Sequence, residues 1–326
     1  MNLPVALGEK YGLIALDAAT EVDEPLDLGA GFFAIPRGAV QLPDYWKEWI
    51  GSIQTDAIER AGLVLLAKRA SDHPDVLDGD NIIVGRRVDN LLWGLLAVDN
   101  LRTEGEGTRL TGANVDGKID VRQQARTLMV IHPRGLMTKR ISQEHLKDAA
   151  VLAYNLGNLL ARSGMRRVKL ALGTFMKAFS ENDLGQRIHQ FVRVVSDGIT
   201  HSWGNDEFKT KSTLLVKESD AETCRELYVM RSNAEHFNLP DSGLHPLPTR
   251  GSLVRGYRRV HEAEALARHC IARIVKRSQL WAEFDDDRID AFWSKPFEDR
   301  VALWGDQLDL SAAMADFDSA NARPED

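Results

Sequence analysis

The chain has only two cysteines, Cys224 and Cys270, in 326 residues. Neither has a CxxC partner, so no disulfide framework and no cysteine zinc site is expected. No stretch approaches 18 uninterrupted apolar residues, and the opening MNLPVALGEKYG lacks the basic and apolar regions of a signal peptide. A cytoplasmic protein with no membrane partner is the expectation. The signatures GxxxxGK[ST], GxGxxG after a strand, GxSxG and HExxH are also missing, and no cofactor is expected. His261 and His269 stand eight residues apart on one helical segment, about 12 Å of rise, too far to share one ion. The acidic run Glu283, Asp285, Asp286, Asp287 reads as a solvated terminus, so no metal is expected either.

What is present suits a globular chain of two domains: 44% hydrophobic and 27% charged residues. The formal net charge of -7 hides an uneven distribution. Residues 1–140 carry 16 Lys and Arg against 20 Asp and Glu, residues 141–281 carry 21 against 15, and residues 282–326 carry 4 against 13. A basic middle precedes an acidic tail, and the total misleads about what the middle can bind. Aromatic residues Phe292, Trp293, Phe297 and Trp304 predict that the first half of the tail packs, with the segment after Leu310 loose.

The expected fold class is α+β. Residues 1–140 read as a β-rich domain, a sandwich or irregular barrel, because short apolar runs are punctuated by turn material. The runs are Gly12–Leu16, Gly31–Ile35, Gly62–Ala67, Ile82–Val84, Leu91–Val98 and Thr127–His132, and the turns include HPDVLDGDN, NVDGK and HPRG. One helix is expected near Tyr45–Ile53. From Ser142 the apolar period changes to 3.6, so residues 141–326 read as an all-α bundle. Helices are predicted over 144–162, 168–179, 183–200, 207–216, 220–237 and 253–281. On the third of these, His189, Arg193 and Thr200 share the side opposite the apolar stripe.

The informative stretch is DAETCRELYVMRSNAEHFNL, from Asp220 to Leu239. Thr223, Leu227, Met230, Ala234 and Phe237 form its buried stripe, and Arg231 projects about 40° from Leu227, on the stripe's edge. A guanidinium there needs a partner, and Glu235 is the local candidate for a structural pair. His236 lies about 140° round from Arg231, so the two side chains meet only if the helix ends, if it bends, or if a second protomer intervenes. Asn238 and Pro240 predict an end close by.

Arg231 to His236 resembles the Rx4-6H motif of HEPN-superfamily ribonucleases, with Ser232 as the polar residue after the arginine. The segments RIHQFVRVV, EFKTKSTLLV and ELYVMRSNAEH, in this order, are similar to helices of an Apea-like HEPN domain over roughly residues 180–280. The middle segment departs from the arginine-bearing version and carries Lys211 instead. The resemblance implies an HEPN-like helical domain over 141–326, acting as a metal-independent endoribonuclease and homodimer with Arg231 and His236 as catalytic pair. It also implies a toxin or antiviral defence effector held inactive until triggered; residues 1–140, which resemble no known family, are then expected by elimination to be the sensor that takes a regulatory protein or ligand. The chemistry suits these side chains. RNA supplies its own 2′-hydroxyl nucleophile, an imidazole moves protons near neutrality, and a guanidinium stabilises phosphate charge. Ser232, Asn233 and Glu235 are supporting candidates. His189, Arg193, Arg255, Arg258 and Arg259 are candidates for contacting RNA. The alternative is a non-catalytic dimeric scaffold or binding module in which Arg231 and Glu235 merely pair.

Overall fold

The computed structural model describes residues 3–99, 101, 103, 106–130, 140–236 and 250–322. It divides into two compact units, one comprising the chain to Val130 and resuming as far as Asn158, the other running from Leu159 onward.

The first unit contains β1 (Glu9–Leu16), β2 (Leu26–Gly29), β3 (Phe32–Pro36), α1 (Asp44–Ile50), α2 (Ser52–Arg60), β4 (Leu63–Ala70), α3 (Gly79–Val98), β5 (Glu106–Val115) and β6 (Lys118–Met129). The strands form one antiparallel sheet in the order β2-β3-β4-β1-β5-β6. The described residues hold neither the second sheet of a sandwich nor the closing strand pair of a barrel, which corrects that expectation. Central strands β1 and β4 are apolar on both faces because both faces are covered. Tyr11, Leu13, Ala15, Val64 and Leu66 join Ile50 and Ile58 of the α1–α2 layer in one core. On the other face α3 packs against β1, β4 and β5.

The runs Ile82–Val84 and Leu91–Val98 are therefore not strands, since both belong to α3. Val84, Val88, Leu91, Leu92, Leu95 and Leu96 are buried at helical spacing. The pattern is interrupted by glycines that look like breakers in sequence. One of them, Gly94, admits close packing: a Cβ there would lie 2.3 Å from the Ala149 carbonyl oxygen. The HPDVLDGDN segment supplies the start of α3, where Asp78 and Asn81 form a capping box. NVDGK is a tight hairpin with Asp116 and Gly117 at positive φ, joining β5 to β6. Ile131, His132 and the HPRG turn lie outside the described residues.

The helix α4 (Gln143–Ala161) leads into the second unit. There the chain continues through α5 (Arg166–Ala178), α6 (Leu184–Val195), a π turn (Ser196–Thr200), α7 (Asn205–Ser212), α8 (Ala221–Glu235) and α9 (Arg250–Lys276). The remainder is α10 (Gln279–Glu283), α11 (Ile289–Trp293), α12 (Phe297–Trp304), α13 (Leu310–Ala313) and α14 (Ala315–Asn321). Helix α6 packs against α5, α8 and α9. Its Phe191 meets Phe175 and Phe179 edge-on, and its Arg187 is buried over Phe179 and Phe191. Arg187 pairs with Glu264 of α9 at 3.3 Å, both side chains almost wholly inaccessible. Burial alone drives the Glu264 carboxyl up, but Arg268, Arg187 and His261 around it outweigh that and hold it below the ordinary range.

From Leu310 to residue 322 the acidic tail is packed rather than loose. Leu310, Met314 and Phe317 are buried, Phe317 rests on the His261 ring at 5.2 Å, and Asp318 holds Arg258. The alternation of charged and small residues that read as solvated is the outer face of two short helices. The stop signals Asn238 and Pro240, with Phe237, lie outside the described residues.

Glu264→Gln removes the carboxylate shared by the buried Arg187 and the half-buried Arg268, so denaturant unfolding should report a loss of about 3 to 5 kcal/mol; a loss under 1 kcal/mol would contradict this role. A second expectation concerns acid. Burial first, then Arg273, pushes His269 down to about 4, whereas an unfolded imidazole titrates near 6.5. The unfolded chain thus binds the proton first. The contribution is complete above about pH 6.5 and falls by up to about 1.4 kcal/mol per pH unit towards pH 4. His269→Gln should flatten that part of the stability–pH curve.

Candidate functional site

Three elements of the helical unit meet at Arg231. Helix α8 carries it near its C-terminal end, with Tyr228 one turn back, and the guanidinium lies over the Tyr228 ring at 5.2 Å. Its strongest partner is Asp197 of the π turn, both of whose oxygens lie 3.2 Å from Nη2. Glu235, the partner expected from helical spacing, is at 3.6 Å, outside hydrogen-bond reach. The Arg231 side chain is 11% exposed, and its Nε is buried without a hydrogen-bond partner.

Asp197 also accepts from Arg193 Nε at 3.3 Å and from the Ser196 hydroxyl at 2.7 Å. One carboxylate therefore serves two guanidiniums. Its position depends on the π turn, where the extra residue per turn changes the phase of the chain after Val195. The same change turns Thr200 inward: it is fully buried, donating to the Ser196 carbonyl, which corrects its expected place beside His189 and Arg193. Gly198 is required there, since a Cβ would stand 2.4 Å from that of Ala171 on α5. The turn closes at His201, at φ 49°, whose imidazole pairs with Asp290 at 2.8 Å. Lys211, the residue standing where an arginine was expected, is spent on this turn: its ammonium donates to the Thr200 and His201 carbonyls and pairs with Glu207.

The imidazole that shares this environment is His189. It is half-buried; desolvation first, then Arg231 and Arg193, drive its pKa down, while Glu235 and Asp197 pull the other way. Its Nδ1 is buried without a partner. A histidine so placed is neutral at neutral pH and can accept a proton. His236 is placed differently. It is the exposed C-cap of α8, outside helical geometry at φ -93° and ψ 14°, with its N–H on the Ser232 carbonyl. Among the described residues its ring makes no hydrogen bond or ion pair, so none joins it to Arg231 within one chain. Ser232 and Asn233 are half-buried beside them and Glu235 is exposed.

The other RNA-contact candidates are scattered in availability. Arg255 is exposed and unpaired among the described residues. Arg258 is held by Asp318 at 2.9 Å and by Glu262, and Arg259 is held by Glu226 and Glu262. These two guanidiniums are neutralised within the bundle. Asp197 is the residue that sequence reasoning missed. It lies 34 positions before Arg231, and only its i,i+4 spacing from Arg193 hinted at a charge pair.

Compared with known proteins, the chain matches no family model, no curated protein and no solved structure.

Replacing Asp197 by Asn removes the main counter-charge from Arg231. Because Asp197 is 41% exposed, the melting temperature should move by only a few degrees. If RNA is the ligand that the resemblance implies, single-stranded RNA should bind up to about tenfold tighter, with a salt slope steeper by about 0.7, the value for one more phosphate contact. Weaker binding in a filter or mobility assay would instead make Asp197 the residue that orients Arg231.

Proposed function

We propose that the helical unit is a metal-independent endoribonuclease of HEPN type, working as a homodimer in a toxin-like or antiviral defence role. The observation that carries this reading is the convergence of Arg231 with His189 and Arg193 at the end of α8, five residues before an uncommitted, exposed His236. Cations for phosphate and imidazoles for proton transfer are the groups that cleavage by a neighbouring 2′-hydroxyl needs. An imidazole takes the proton as the 2′-oxygen attacks phosphorus, a guanidinium meets the charge on the phosphoryl oxygens, and a second proton goes to the 5′-oxygen as its bond to phosphorus breaks. The products are a 2′,3′-cyclic phosphate and a free 5′-hydroxyl. No electron changes hands. Arg231 is the phosphate anchor and His236 the proton carrier, with Ser232 and Asn233 beside them, while His189 is a neutral acceptor that feels the Arg231 charge.

Arg231 and His236 lie about 140° apart around an ideal helix and share no hydrogen bond within one chain, so in this reading a second copy related by two-fold symmetry supplies the missing side chain of each site. Arg193 and Arg255 are the cations left to guide RNA towards it. The first unit is then the sensor, and an aromatic cavity of about 640 Å³ lined by Tyr45, Trp46, Pro43 and Asn114 offers a place for a regulatory ligand or protein.

A scaffold reading has one observation in its favour: Arg231 is engaged by two carboxylates, as a structural arginine would be. The two readings separate in a cleavage assay. His236→Ala should lower RNA cleavage by about 10² to 10⁴ while leaving the melting temperature within a few degrees, and EDTA should change nothing. Mixed Arg231→Ala and His236→Ala proteins should recover part of the activity. Absence of cleavage by the wild-type chain across RNA substrates would favour the scaffold; activity of a monomer would dispose of the shared site.

A further inference from the structure

A cavity of about 360 Å³ lies between α5 and the π turn, in the size range of small-molecule sites. Its floor is apolar, made by Leu170 and Ala171 of α5 against Gly198. Leu170 is 61% exposed, an uncovered leucine among cations. Arg166 stands one turn before Leu170 on the same strip of α5, Arg167 one turn before Ala171, and Arg193 borders the cavity from α6.

The two acids in the wall are already engaged. Asp286 accepts the backbone N–H groups of Arg166 and Arg167 at 2.8 and 2.9 Å, and Asp197 serves Arg193 and Arg231. Neither Arg166 nor Arg167 has a carboxylate within ion-pair distance among the described residues. Arg167 gives one Nη to the Asp197 carbonyl at 3.2 Å, and its Nε is buried without a partner. Two guanidiniums with unused donors therefore sit beside an exposed apolar surface too small for a protein interface.

We propose that this cavity binds a small phosphate monoester carried on a flat ring. The ring covers Leu170 and Ala171, and the phosphate takes the free donors of Arg166 and Arg167, for which a planar fork is the matching partner. Binding here also acts on the neighbouring site, an effect that rests on the ribonuclease reading. An anion that draws Arg193 into the cavity leaves Asp197 to Arg231 alone. Arg231 is then less available to an RNA phosphate, so ligand and RNA oppose each other reciprocally.

The test is calorimetric titration of the full chain with 5′-AMP and phenyl phosphate, beside adenosine and inorganic phosphate. Both ring phosphates should bind, and adenosine or phosphate alone should bind at least tenfold more weakly. Leu170→Glu, at an exposed position, should weaken AMP at least tenfold without a change in melting temperature, and Arg166→Glu should do the same if the first variant misfolds. His236→Ala should bind AMP as the wild type does. Intact AMP binding in a chain that cleaves no RNA would strike only the ribonuclease reading. No binding of either ring phosphate at millimolar concentration, or binding unchanged in both variants, would overturn the proposal.

Discussion

The helical unit is organised by one buried charge. Glu264 stands inside the bundle with two arginines on it, and Arg187 reaches it from the first turn of α6. A carboxylate and a guanidinium removed from water must find each other, and their fixed geometry joins α6 to α9 at one register. The aromatic rings of Phe175, Phe179 and Phe191 fill the space around that pair. With α6 held in place, the π turn at its C-terminal end is held too, and Asp197 is carried on that turn.

Arg231 illustrates how a charge acquires a function or is kept from one. Helical spacing assigns it to Glu235, a contact made weakly at an exposed edge. The folded chain assigns it to Asp197, which arrives from another helix and is shared with Arg193. The result is a short chain of alternating charge, Arg193, Asp197, Arg231, with one carboxylate between two cations. Such an arrangement sets alternating charges beside a half-buried imidazole, and it makes the availability of either guanidinium depend on what the other is holding. The same carboxylate that holds Arg231 also lines the cavity bordered by Arg193.

The first unit shows the opposite economy of charge. Its sheet is covered on both faces, so β1 and β4 carry continuous apolar stretches, and the one lysine buried in β1, Lys10, is met by Asp78 at the start of α3. The residue that caps a helix thus also neutralises the cation nearest it.

Much of this was legible in the residues themselves. The apolar period marked α4, α5, α6, α8 and α9 to within a few residues, and three apolar runs marked β1, β3 and β4, because local spacing is a property of neighbours in sequence. The two apolar runs of α3 look like strands in sequence because its glycines, one of them a point of close packing, interrupt the period. Residues 196–200 look like ordinary helix in sequence because a π turn has no periodic signature over five residues. Arg231 could be placed on the edge of a stripe, and His236 on another side, from 100° per residue alone. Which carboxylate would hold Arg231, which imidazole would stand near it, and that Arg258 would be covered by Asp318 were decided only by the packing of helices far apart in the chain. A sequence specifies the period of each helix, but the partner of a half-buried charge is chosen by the groups that the tertiary fold brings within a few ångströms.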